Sequence, residues 1–122
     1  MRKMPVHYNE FLDCAKQFLE GNNPTEMELR NSSSRAYYYL FHKIRETFRG
    51  HSKAHFRNGT GDHEEALKFL RRIGKLTLAD RFHYCKAKRQ KADYDINESL
   101  TETEAEDQIS EVEGIGRKID EF

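Results

Sequence analysis

The stretch from Thr25 to Arg49 contains neither glycine nor proline, and no other feature limits the fold so tightly. Pro24 stands at its start and Gly50 at its end, the order expected of an α-helix. Asn23 is the expected N-cap. At roughly 100° per residue, Tyr37, Leu40, Phe41, Ile44 and Phe48 fall on one side, which a core would bury. Arg35, Tyr38, His42, Arg45 and Arg49 fall on another, spaced alternately by three and four, so they form one continuous stripe. A helix built this way needs other amphipathic helices against its apolar side.

The rest of the chain supplies them. Tyr8, Phe11, Ala15, Phe18 and Leu19 recur at helical spacing between Val6 and Glu20. A third helix is expected from Asp62, read as N-cap with Glu65 completing a capping-box variant, and it carries Ala66, Leu67, Leu70 and Ile73. A fourth spans Thr77 to Tyr94 with Leu78, Phe82, Cys85 and Ala92. A last helix opens at Thr101 with Glu104 as its box partner. Its seam is Ala105, Ile109, Val112 and Ile119, softened by Gly114 and Gly116. No segment reads as a strand. The expectation is one all-α domain over residues 1–122, an up-and-down bundle of four or five helices. The connection from His51 to Gly61 is long, as functional or mobile loops are.

Charged residues make up 34% of the chain and hydrophobic ones 36%, a lean core that leaves room for a partner on the apolar surface. Formal net charge is zero, which excludes a global basic field. The charge is segregated instead, basic from Arg71 to Lys91 and acidic from Glu98 onward. The two cysteines, Cys14 and Cys85, lack CxxC spacing and read as small core residues of a reducing compartment. No apolar run approaches the ~20 residues of a membrane span, and Met1 to His7 lacks a signal-like apolar region. The expected location is the cytoplasm.

The stripe on the second helix holds residues suited to a phosphodiester. Arg offers a planar fork of donors to phosphate oxygens, His exchanges a proton near neutral pH, and Tyr stacks on a base. Arg35 and His42 are the candidate pair, about 10 Å apart along the axis, and two copies meeting across a dimer would ease their convergence. Tyr38, Arg45 and Arg49 are candidate RNA contacts, and Lys86, Lys88, Arg89 and Lys91 form a second candidate phosphate patch. Asp93 is placed to pair with Arg35 or Arg30 across the bundle. His51, His55 and His63 have no cysteine nearby, so neither a metal site nor a cofactor is expected.

Two strings make the reading more specific. Ser34-Arg35-Ala36-Tyr37-Tyr38-Tyr39-Leu40-Phe41-His42 resembles the SRAYYA-x-FH helix of HEPN-domain proteins, and Lys91-Ala92-Asp93-Tyr94-Asp95 resembles their R/K-ADYD signature. His63 falls where the family has a His opening its third helix, and Thr101 to Ala105 resembles the acidic start of its last helix. The resemblance covers the chain from about Tyr8 onward. It implies a helical bundle that pairs into a homodimer. It also implies a metal-independent endoribonuclease of toxin–antitoxin, phage-defence or RNA-processing systems, often encoded beside a nucleotidyltransferase partner. In such enzymes an Arg and a His with four to six residues between them assist attack of a ribose 2′-hydroxyl on the adjacent phosphate. Arg35 with His42 meets that spacing; so do Arg45 with His51, Arg49 with His55, and Arg57 with His63. Other members lack nuclease activity and serve as RNA- or protein-binding scaffolds. A helical adaptor without nucleic acid is the third reading.

Overall fold

A computed structural model of the protein describes residues 5–122, so the signal-peptide expectation falls partly outside the described residues. They form five α-helices and no strand: α1 Tyr8–Gln17, α2 Glu26–Phe48, α3 Asp62–Arg72, α4 Leu76–Tyr94 and α5 Glu102–Ile119. The second helix is the hub, and each of the other four packs against it. Tyr37, Leu40, Phe41, Ile44 and Phe48 are buried, as the helical wheel requires. They meet Ala15 of α1, Phe69 and Leu70 of α3, Phe82 and Cys85 of α4, and Val112, Ile115 and Ile119 of α5 in one core.

Local chemistry sets the helix ends. Thr25, not Asn23, caps α2: its hydroxyl accepts from the Glu28 amide while Glu28 reaches back to the Thr25 amide. Asn23 has a left-handed φ of 57° and belongs to the turn before it. Thr101 and Glu104 form the expected box on α5, and His7 with Glu10 forms one on α1. The third helix departs from expectation. Its N-cap is Gly61, at φ 100°, and Asp62 is the first helical residue. The buried Asp62 carboxylate accepts from the Arg57 and Asn58 amides at 3.0 and 2.9 Å. Glu65 accepts from the His55 amide and pairs with Arg72, whose guanidinium also donates to the Lys53 carbonyl. Two carboxylates on α3 thus fasten the long connection, which is tied down rather than loose.

Close contacts hold α1 and α5 against the hub. The Ser32 hydroxyl donates to the Ala15 carbonyl at 2.8 Å, the close approach that small residues permit. Gly116 is more than a softening of α5. A Cβ there would lie 2.2 Å from the Tyr39 hydroxyl, so the absent side chain is what lets Tyr39 sit between the helices. Lys43, buried, pairs with Asp120 at 2.9 Å and fixes the end of α5. No helix of the described residues is long and apolar enough to cross a membrane.

Candidate functional site

The stripe on α2 runs between α1 on one side and α3 and α4 on the other. Its middle is roofed by Phe11 of α1, whose ring centroid lies 4.8 Å from that of His42 and 6.4 Å from that of Tyr38. On the other side, His63 at the start of α3 stacks on Phe41, with centroids 3.9 Å apart and planes 8° from parallel. Its Nδ1 meets the Tyr37 hydroxyl at 2.7 Å. Tyr38 stands between the two imidazoles, 6.1 Å from His42 and 5.9 Å from His63 by ring centroid.

Cations ring these two histidines. Arg45 donates to His42 Nδ1 at 3.2 Å, approaches Asp62 at 3.6 Å and lies over the Phe41 ring. Arg89 lies over the Tyr37 and Tyr38 rings and reaches Asp93 only at 3.7 Å. Lys86 reaches Glu64 at 3.5 Å. Every cation of the cluster therefore has an acid nearby, but at a separation longer than a hydrogen-bonded ion pair. Arg45 Nε and Arg89 Nε are buried and have no hydrogen-bond partner. The cluster keeps donor capacity in reserve.

Both imidazoles are held neutral. Burial lowers the His63 pKa to about 4, helped by Arg89, Lys86, His42 and Arg45. Burial and Arg45 likewise lower that of His42. Because a guanidinium can only donate, the contact with Arg45 makes Nδ1 of His42 the acceptor and leaves the ring hydrogen on Nε2. His42, Arg45 and Glu46 line a cavity of about 300 Å³ together with Val6, Tyr8 and Phe11.

Placement of the sequence candidates is uneven. Tyr38, His42, Arg45, His63, Arg89 and Asp93 share one contiguous network. Arg35 is exposed, makes no ion pair among the described residues, and lines a separate cavity with Glu10, Phe11 and Cys14. Phe11 borders both cavities, so within one chain Arg35 and His42 line different cavities that share its side chain. Arg49 is turned toward the long connection, bonded to Asn58 and Glu46. The α4 patch is divided. Lys88 is half-buried and lies over the Tyr84 ring, Lys91 is held by Glu104 at 3.1 Å, and Arg89 is 8% exposed and faces inward. Consecutive helical residues cannot share a face, and Arg89 falls on the side α4 presents to α2. Asp93 pairs with neither Arg35 nor Arg30; it accepts from Ser34 at 3.3 Å and faces Arg89. Phe11 and Tyr37 are site residues that sequence reasoning assigned only to the core, since nothing in their spacing shows which polar groups they touch. Among the described residues no three His, Cys, Asp or Glu side chains gather as metal ligands would.

Comparison with models of known families, with curated proteins and with solved structures finds no match for this chain.

Proposed function

We propose that this chain is a HEPN-type RNA-binding protein that cleaves RNA without a metal ion, with His42 as proton acceptor and Arg45 beside it. The observation that carries the reading is the neutral His42 imidazole in a cavity, bonded to a guanidinium whose own partners are distant. A phosphate entering that cavity offers Arg45 a better acceptor than an imidazole nitrogen, because charge-assisted bonds are the stronger ones. Once Arg45 turns to the phosphate, His42 Nδ1 is free to take the proton of the ribose 2′-hydroxyl. That oxygen forms a bond to phosphorus, the bond to the 5′-oxygen breaks, and water protonates the departing oxygen. The products are a 2′,3′-cyclic phosphate and a 5′-hydroxyl. Arg45 stabilises the charge that develops on the phosphoryl oxygens.

In this reading the bundle is HEPN-like and up-and-down, and it works as a homodimer in the cytoplasm. A second copy would bring its Arg35 to the His42 cavity past the Phe11 ring. The partner class is a nucleotidyltransferase-type antitoxin or another component of a defence system. Incubation with mixed RNA in EDTA, followed by mapping of the ends, tests the chemistry. Cleavage should persist in chelator and fall by about 10²–10⁴-fold in His42→Ala. Chelator-sensitive cleavage, or an unchanged rate in that variant, would remove the reading.

One observation favours the second reading, a catalytically silent RNA- or protein-binding module. With Arg45 on Nδ1, the ring hydrogen of His42 is on Nε2, and a donor can bind phosphate without cutting. RNA binding without cleavage in the same assay selects it.

A further inference from the structure

A cavity of about 570 Å³ lies away from the His42 site, at the end of the bundle where α2 and α5 stop and α4 begins. That volume falls within the range of small-molecule sites. Its lining is mixed: Phe48 of α2, Ile73 and Leu78 flanking the turn into α4, and Phe122 supply the apolar surface, and His51, Lys75, Lys118 and Glu121 the polar groups. The Phe48 and Phe122 rings stand 5.7 Å apart, centroid to centroid.

The charge at the rim is cationic and incompletely matched. Lys118 has Glu121 at 3.9 Å. Lys75 has no ion pair among the described residues; its ammonium lies 4.8 Å from the centre of the Phe122 ring. Helix carbonyl ends do not account for these lysines. Backbone amides of His51, Gly74, Lys75 and Asp120 already bond the terminal carbonyls of α2, α3 and α5 there. The first turn of α4 beside Lys75 carries no acid and no side-chain cap, so nothing on that side neutralises the ammonium.

We propose that this cavity binds a small apolar monocarboxylate, its hydrocarbon tail among Phe48, Ile73, Leu78 and Phe122 and its carboxylate on Lys75. Burial of the tail supplies affinity, and the ammonium supplies selection for an anion over its neutral analogue. This proposal does not depend on RNA chemistry.

Titration of the full chain with sodium octanoate, followed by amide and methyl NMR shifts, tests it. Octanoate should bind with a Kd of roughly 10⁻⁴ M and shift Phe48, Ile73, Leu78 and Lys75 while leaving His42 and His63 unmoved. Its neutral analogue 1-octanol should bind about tenfold more weakly, and Lys75→Gln should erase that difference. Ile73→Trp, which fills the cavity from its edge, should abolish binding of both with the remaining spectrum intact. Shifts spread over the whole surface, no saturable binding, or equal binding of octanoate and octanol to the unaltered chain would overturn the proposal.

Discussion

Two buried arginines on neighbouring helices have opposite lives. Arg30 is 7% exposed and Arg89 is 8% exposed, so burial does not distinguish them. Arg30 is fully used. Its Nε donates to Glu26 at 3.1 Å, and its two terminal nitrogens reach the carbonyls of Lys91, Ala92, Asp95 and Glu98 where α4 ends. One side chain thereby joins the Asp95 and Ile96 amides in satisfying the last carbonyls of α4. Arg89 lies on two tyrosine rings, reaches Asp93 at 3.7 Å and leaves Nε without a partner. The first arrangement is a structural clamp. The second leaves hydrogen-bonding capacity unspent beside two neutral histidines, as a site awaiting an anion would. The corner between α2 and the end of α4 around Arg30 is therefore finished, and the seam around Arg89 is not.

Substitutions can break or sharpen that contrast. Arg30→Ala should show the largest effect. It leaves the buried Ala92 carbonyl and the part-buried carbonyls around it without their guanidinium donor, and should cost roughly 3 kcal/mol or more in chemical denaturation, with no change in the RNA affinity that the proposed function assigns to the folded fraction. A cost below 1 kcal/mol would show that Arg30 is no clamp.

A smaller effect should appear with pH. The His63 pKa is about 4 in the folded chain, against an ordinary value of 6.5. The unfolded chain therefore binds the extra proton between those values. The stability that depends on a neutral His63 is complete above about pH 6.5 and is lost as pH falls toward 4. After allowance for partial solvent access, the loss is about 1–2 kcal/mol. Denaturation across that window should show a flatter profile for His63→Gln, and parallel profiles would contradict the placement of the ring. Carboxylates such as Asp62, whose burial penalty is more than offset by backbone donors, lose their contribution only at lower pH and cancel in the comparison.

The smallest change in stability belongs to Arg89→Met. Replacing an incompletely paired buried cation by an apolar side chain of similar length should alter stability by less than about 1 kcal/mol, in either direction. Under the proposed function, RNA affinity should nevertheless drop in a salt-dependent filter-binding or anisotropy assay, because the cluster loses one of its cations. A stability cost matching that of Arg30→Ala would erase the distinction between the two arginines.

Much of this architecture is written in local sequence. The side of α2 that carries Tyr37, Leu40, Phe41, Ile44 and Phe48 follows from a period of 3.6, because burial follows the apolar stripe whatever packs on it. The Thr101–Glu104 box likewise needs only its own few residues. The chemistry of the stripe does not follow in this way. Periodicity gives each residue a direction around the helix but not the neighbour it meets. Only packing set Phe11 against both the Arg35 and the His42 cavities, gave His42 to Arg45, moved Asp62 from cap to loop anchor, and turned Arg89 inward onto two tyrosines while Lys88 stayed nearer the surface. Those outcomes depend on residues distant in the chain, and on the desolvation and partner distances that exist only once the helices have closed on one another.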